Sequence, residues 1–201
     1  MKRPFFSVIV PAHNSERFIR TCLHSIRQQT FKDYELIVVC DDCSDDTARI
    51  ALGYADKIIT THFGTDGLAR NAGIDAAVGE WIVFLDDDDW WMHEFVLEEL
   101  KAAALEDRDM LVFDFIWKSK GYHKNTAFEM NIAVWSKAFR RDLIGDTRFP
   151  GIRSTSDSPF MHEIIEKRPR IHAMNQLMYY YNYMREGSQT WSENVENGGN
   201  G

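Results

Sequence analysis

Along residues 5–117, short apolar runs alternate with stretches whose apolar positions recur every three or four residues. The runs Phe6–Val10, Glu35–Cys40, Lys57–Thr61, Trp81–Leu85 and Met110–Trp117 predict strands. Ser15–Gln29 places Phe18, Ile19, Cys22, Leu23 and Ile26 at helical spacing, and Asp45–Tyr54, Thr65–Val78 and His93–Leu105 read as further helices. Gly79 stands where a C-cap glycine would end its helix. Strands such as Leu36–Cys40 and Trp81–Leu85 are apolar throughout, which implies burial on both faces. The expected class is therefore α/β, with a mostly parallel sheet flanked by helices. After residue 117 the pattern loosens into Trp135–Ile144, Arg148–Gly151, Asp157–Arg168 and the aromatic run Tyr179–Tyr183. Residues 118–192 thus read as an irregular cap on the sheet built by residues 1–117, and 193–201 as a disordered tail.

Composition narrows the function. In 201 residues, 31 Asp+Glu outnumber 23 Lys+Arg, for a net charge of −8, so the basic stripe that neutralises nucleic-acid phosphates is missing. The start, Lys2 to Pro11, mimics a signal peptide, but His13-Asn14-Ser15-Glu16 follows in place of a small-residue cleavage site, so it reads as a first strand. No run approaches the ~18 apolar residues of a membrane span. Three cysteines are too few and odd in number for a disulfide scaffold, which points to a reducing cytosol. A cytoplasmic protein, with contact at the inner face of a membrane left open, is the expectation.

In sheets of this class ligands bind beyond the carboxyl ends of the strands. Those ends carry Pro11-Ala12-His13-Asn14, Asp41-Asp42-Cys43-Ser44-Asp45-Asp46 and Asp86-Asp87-Asp88-Asp89. Adjacent carboxylates ~4–6 Å apart repel by on the order of 3–4 kcal/mol at an effective dielectric near 20. Such a cluster must therefore be splayed into water or neutralised by a cation. On an extended backbone Asp86 and Asp88 point to one side, a two-carboxylate claw for Mg²⁺ or Mn²⁺ with phosphate oxygens as further ligands. The alternative is a solvated acidic turn. An EF-hand loop starting at Asp86 fails, since Trp91 and Leu97 occupy its glycine and glutamate positions.

Asp41-Asp42 could accept hydrogen bonds from a base imide or from ribose hydroxyls, or help cap the next helix. Cys40-Asp41-Asp42-Cys43 has redox spacing, yet the intervening carboxylates would raise the thiol pKa values, so a structural role is expected. Arg70, on an early helical turn facing the same strand ends, could pair bidentately with a carboxylate or a diphosphate.

Val8–Asn14, Ser25–Thr30, Glu35–Asp42, Ala69–Gly73 and Gly79–Asp89 together resemble family two glycosyltransferases of the Rossmann-like GT-A fold, in order and with natural spacing across residues 5–105. Trp135–Leu143, Arg148-Phe149-Pro150, Ser156–Phe160 and Tyr181–Ser188 look like that family's acceptor-side landmarks. The resemblance implies metal-dependent transfer of one sugar from a nucleotide diphosphate, UDP, to an acceptor hydroxyl of a glycan or lipid-linked acceptor, with inversion. It implies that Asp42 binds the nucleobase in a pocket shaped by Pro11 and Asn14, with Ala12, His13, Asp41 and Asp87 beside it. Arg70 would reach the base or diphosphate. Asp86 would touch ribose or metal, Asp88 would hold the Mn or Mg ion directly, and Asp157 would be the general base. His13 stands where the family often has tyrosine, the turn after Asp42 is one residue short, and Ser156 replaces a frequent acidic residue. No Gln-x-x-Arg-Trp motif occurs, which disfavours processive polymer synthesis. Two other readings remain at this level. A nucleotidyl or phosphoryl transferase would carry a glycine-rich first loop, which Pro11-Ala12-His13-Asn14 is not. A carbohydrate-binding module could stack sugars on Tyr179–Tyr183 and Trp191.

Overall fold

The computed structural model describes residues 3–118, 120–127, 130, 132–153 and 156–182. The expected tail 193–201, Trp191 and the landmark residues after Asn182 lie outside these. In chain order the elements are β1 (Phe6–Ala12), α1 (Ile19–Arg27), β2 (Tyr34–Asp41), α2 (Thr47–Ala51), β3 (Lys57–Thr61), α3 (Asp66–Ala76), β4 (Trp81–Phe84), β5 (Trp90–Trp91), α4 (Val96–Ala103), β6 (Met110–Trp117), β7 (Gly121–His123), a 3-10 turn (Val134–Ser136), β8 (Lys137–Arg140), α5 (Arg141–Ile144), α6 (Asp157–Glu166) and β9 (Ile171–Tyr181).

The strands form one sheet in the order β3-β2-β1-β4-β8-β6-β9-β5, with β7 paired to β6. Strands β1 to β4 are mutually parallel and β9 runs parallel to β6, whereas β8 lies antiparallel between β4 and β6. Alternation across the pleat divides the core. Val8, Val10, Leu36, Val38 and Val83 pack under Leu23 and Ile26 of α1 and Leu97 and Leu100 of α4. Ile9, Ile37, Val39, Ile82 and Phe84 pack under Ala69 and Ile74 of α3 and Phe160 and Ile164 of α6. Two apolar faces, each needing a helical layer, give the α/β sandwich.

Region 118–182 also contributes strands, which the reading of an irregular cap leaves out. β8 fills the sheet beside β4, and β9 is 11 residues long. Gly79 is not a cap glycine either: Ala77 closes α3, and a Cβ on Gly79 would lie 2.5 Å from the backbone nitrogen of Ser7. Close chain approach is what excludes a side chain there.

Because β1 pairs with β2 on one side and β4 on the other, the chain reverses its progression between β1 and β4. At such a switch point the loops after the strands diverge and leave a crevice. The Ala12↔Cys40 and Ile9↔Phe84 registers bring the ends of β1, β2 and β4 to that one rim.

Candidate functional site

At the rim, the His13 backbone N–H donates to Asp87 Oδ2 at 3.0 Å, joining the end of β1 to the loop after β4. The His13 ring Nδ1 lies 2.6 Å from the Asp41 carbonyl, and Asn14 Oδ1 accepts from the Ser44 N–H at 2.8 Å. Asn14 and Asp42 both take positive φ, 45° and 52°. Asn and Asp tolerate that left-handed conformation better than other non-glycine residues, so the two turns can leave their strands sharply. His13, Asn14 and Asp42 are exposed, while Pro11 and Ala12 are buried within β1 and shape the rim through their backbone. Asp42 Oδ1 pairs with His62 Nδ1 at 2.7 Å.

Asp41, expected among the nucleotide contacts, lies beneath the rim. It is buried, and its carboxylate accepts from Thr61 Oγ1, the Phe63 N–H and the Thr65 N–H at 2.9, 2.6 and 3.2 Å. An ionised carboxylate that is buried must find donors, and here it ties down the β3–α3 loop.

The four aspartates are not arrayed on an extended backbone. β4 ends at Phe84, and the Asp89 N–H donates to the Asp86 carbonyl at 3.1 Å, closing a turn. The turn splays the side chains to separate partners, which relieves the repulsion that alignment would impose. Asp86 Oδ1 meets Arg70 at 2.8 Å and Asp87 Oδ2 meets the His13 N–H. Asp89 Oδ2 accepts from Tyr179 Oη at 2.6 Å and Oδ1 from the Asn182 N–H at 2.7 Å. Burial, then Asp88 and Asp86, push Asp89 well above the usual carboxylate range. The turn is thus clamped from beneath by β9.

Among the described residues no group of three or more His, Cys, Asp or Glu side chains converges as a cation cage. Asp88, partly exposed at the turn's crest, is a hard oxygen donor. A single carboxylate fits a Mg²⁺ or Mn²⁺ ion that takes its other ligands from a diphosphate and water.

Arg70 is the hub. Its side chain is 5% exposed and contacts Asp66 at 2.5 Å, Asp86 at 2.8 Å and Asp157 at 3.5 Å. Burial opposes its charge, but Asp157, Asp86 and Asp66 hold it more firmly protonated than usual. Of the two pairings open to Arg70, carboxylates are what it makes. Its site on α3 follows from Thr65, whose side chain caps that helix, and from Gly67. A Cβ on Gly67 would come 2.9 Å from the Pro150 carbonyl oxygen and 3.0 Å from Ser156 Cβ. Only glycine lets α3 approach the start of α6 so closely.

Asp157 opens α6 but does not cap it. Ser156 is the N-cap, and Asp157 Oδ2 instead accepts from the Val134 N–H at 3.0 Å. Burial raises Asp157; Arg70 and the Val134 N–H draw it back down. A carboxylate so poised can take a proton when a substrate hydroxyl approaches.

Sequence reasoning missed Asp66, Gly67, Lys137, Tyr179 and Asn182. Lys137 and Asn182 fall within the acceptor-side landmarks and Tyr179 within the aromatic run, but only their partners reveal what they do. The three cysteines are free, and although Asp45 pushes Cys43 up, the hydrogen bond with the Cys40 thiol dominates and lowers it to about 7 while raising Cys40.

Known proteins share this fold. Residues 7–167 match the family described as Glycosyl transferase family 2. The chain is 37% identical over 170 residues to EpsH of Bacillus subtilis (strain 168), covering 72% of this chain and 49% of that one. It is 32% identical over 221 residues to the poly(ribitol-phosphate) beta-N-acetylglucosaminyltransferase TarS of Staphylococcus aureus (strain MW2), covering 94% of this chain and 37% of TarS. It therefore spans about half or less of these relatives. The structure of S. aureus TarS 1–349 in complex with UDP-GlcNAc superposes with a TM-score of 0.82 at 27% identity, covering 93% of this chain and 60% of that one. The mannosyltransferase PcManGT from Pyrobaculum calidifontis, in complex with GDP-Man and Mn²⁺, shares the fold at TM-score 0.73 and 18% identity, covering 100% of this chain and 67% of that one. Fold, rim and family match coincide, and the chain belongs to glycosyl transferase family 2.

Proposed function

We propose that the chain moves one sugar from a UDP-sugar to an acceptor hydroxyl, with inversion and with a divalent ion, Mn or Mg. The observation that carries this reading is the junction at Arg70. It links Asp86, on the donor side of the rim, to Asp157, brought in by α6 from the acceptor side, at 2.8 and 3.5 Å. Donor and acceptor groups are thereby held by one cation. The TarS complex with UDP-GlcNAc supports the choice of nucleotide.

In this reading Asp42 accepts from the base imide once His62 gives way, and His13 and Asn14 border the base. Asp86 faces the ribose, with its second oxygen free of the Arg70 contact. Asp88 would hold the ion, whose chemistry when bound is to stabilise charge on the departing diphosphate. Asp157 removes the acceptor proton from the side opposite the leaving group, so that attack is in line and the anomeric carbon inverts. A glycan or lipid-linked hydroxyl is the proposed acceptor. The free thiols fit a reducing, cytoplasmic setting, at the inner face of a membrane where the acceptor is lipid-linked. No described helix is long and apolar enough to cross a membrane.

The test is UDP release from a panel of UDP-sugars with Mn²⁺ or Mg²⁺, for the wild type and Asp157→Asn. Turnover with one sugar, cut to a small but measurable residual rate in the variant, is expected. Binding without turnover by the wild type would instead make the chain a nucleotide-sugar binding module.

A further inference from the structure

Beside β4 in the sheet, β8 carries a buried cation within the landmark Trp135–Leu143, to which the resemblance assigns no role. Lys137, at the start of β8, has no exposed surface. Its Nζ donates to the Ala133 carbonyl oxygen at 2.6 Å and to Ser136 Oγ at 3.2 Å. That carbonyl belongs to the peptide unit whose other end, the Val134 N–H, donates to Asp157 Oδ2 at 3.0 Å. One peptide therefore has on its oxygen a lysine, a cation when protonated, and a carboxylate on its N–H. A positive charge at the oxygen draws electron density along the amide and strengthens the N–H as a donor, and hydrogen bonds in such chains polarise one another.

We propose that Lys137 is a positioning residue for Asp157, acting through the Ala133–Val134 peptide to fix the carboxylate that accepts the acceptor's proton. The proposal rests on the reading of Asp157 as that base. Asp157 is held between two cations of different reach. Arg70 of α3 meets Oδ1 directly, and Lys137 of β8 acts on Oδ2 through the peptide. Asp66 of α3 and Asp86 of the turn after β4 are the negative groups facing it. Lys137 and Asp157 also sense each other directly, since Asp157 opposes the effect of burial on the lysine. Placing a lysine in an otherwise apolar layer is costly, and that cost is explained if the charge orients a reacting group.

Two readouts test this. In ¹⁵N-labelled protein without donor or acceptor, the Val134 amide proton should lie downfield and should move upfield in Asp157→Asn, which loses the anionic acceptor. It should move the same way in Lys137→Met. Lys137→Arg keeps a cation, so its Val134 resonance should stay near the wild-type position, and it serves if the methionine variant does not fold. In UDP release from UDP-GlcNAc with Mn²⁺, Lys137→Met should lower kcat by up to about 10²-fold, the cost of misplacing a reacting group, with KM for UDP-GlcNAc little changed. In an Asp157→Asn background the same substitution should have no further effect, because non-additivity marks residues that act as one unit. An unmoved Val134 resonance in Lys137→Met, or an equal fold-loss in both backgrounds, overturns the proposal. Full turnover by Asp157→Asn would instead sink the assignment of the base, while the amide shift still decides the link to Lys137.

Discussion

Replacing Arg70 by methionine keeps much of the side chain's volume and removes the cation that three carboxylates share. At an effective dielectric near 20, contacts at 2.5, 2.8 and 3.5 Å correspond to about 5–7 kcal/mol of direct attraction each, most of it offset by the cost of burying the charges. Removing one partner of a buried ion pair costs about 3–5 kcal/mol, because the others are left uncompensated. Side-chain exposure apportions the loss. Asp66 is 33% exposed and can turn to water, whereas Asp86 at 23% and Asp157 at 18% are less able to. The expected loss is therefore about 3–5 kcal/mol of a total stability on the order of 5–15, so the variant folds with a much lower denaturation midpoint. Urea unfolding at pH 7 measures it, and the gap from wild type should narrow as pH falls and Asp157, which burial raises, takes up a proton. Arg70→Lys should recover only part, since an ammonium cannot fork across separate carboxylates. A difference under about 0.5 kcal/mol, the range of ordinary surface changes, would refute the reasoning, as would a gap that does not vary with pH.

Other outcomes follow from the same geometry. Gly67→Ala should displace Ser156 and Asp157, lowering stability by about 1–3 kcal/mol and kcat by up to about 10²-fold; unchanged turnover would mean that α6 yields freely. Burial pushes Lys137 down to about 7, whereas the unfolded chain keeps a lysine protonated to about 10.4. Between those values the unfolded state binds more protons, so wild-type stability should gain about 2 kcal/mol from pH 7 to pH 9, and Lys137→Met should lack that increment in urea titrations. At pH 7 limited iodoacetamide should alkylate Cys43, lowered to about 7 and partly exposed, and spare the buried Cys22 and Cys40; mass spectrometry showing equal labelling would contradict this.

The strands legible in the sequence are β1, β2, β4 and β6, whose continuous apolar runs admit few other readings, and the half-buried β3, Lys57–Thr61. β8 and β9 were not legible as strands. β8 begins with a lysine, which reads as surface, and β9 places exposed Asn175 and Gln176 mid-strand, with shifts of register against β6. At the site, position at the strand ends brought Asp42, Asp86 and Asp88 forward as candidates, and the resemblance to the family brought Asp157. The conformation of Asp86–Asp89 could not be read, since it depends on Tyr179, 90 residues beyond Asp89. Asp41 illustrates the same limit: its carboxylate is consumed by three donors of the β3–α3 loop, which only the fold brings within reach. Lys137 sits in the landmark Trp135–Leu143, but its role is hidden until the Ala133–Val134 peptide shows what lies on its far side.

The most direct measurement is calorimetric titration of UDP into wild-type protein and Asp88→Ala, with Mn²⁺ and with chelator. Asp88 as the rim's link to a cation and diphosphate predicts tight uptake by the wild type only with Mn²⁺, and loss of the manganese-dependent part in the variant. Equal affinity with chelator, or an Asp88→Ala protein that binds UDP with Mn²⁺ as the wild type does, would contradict it.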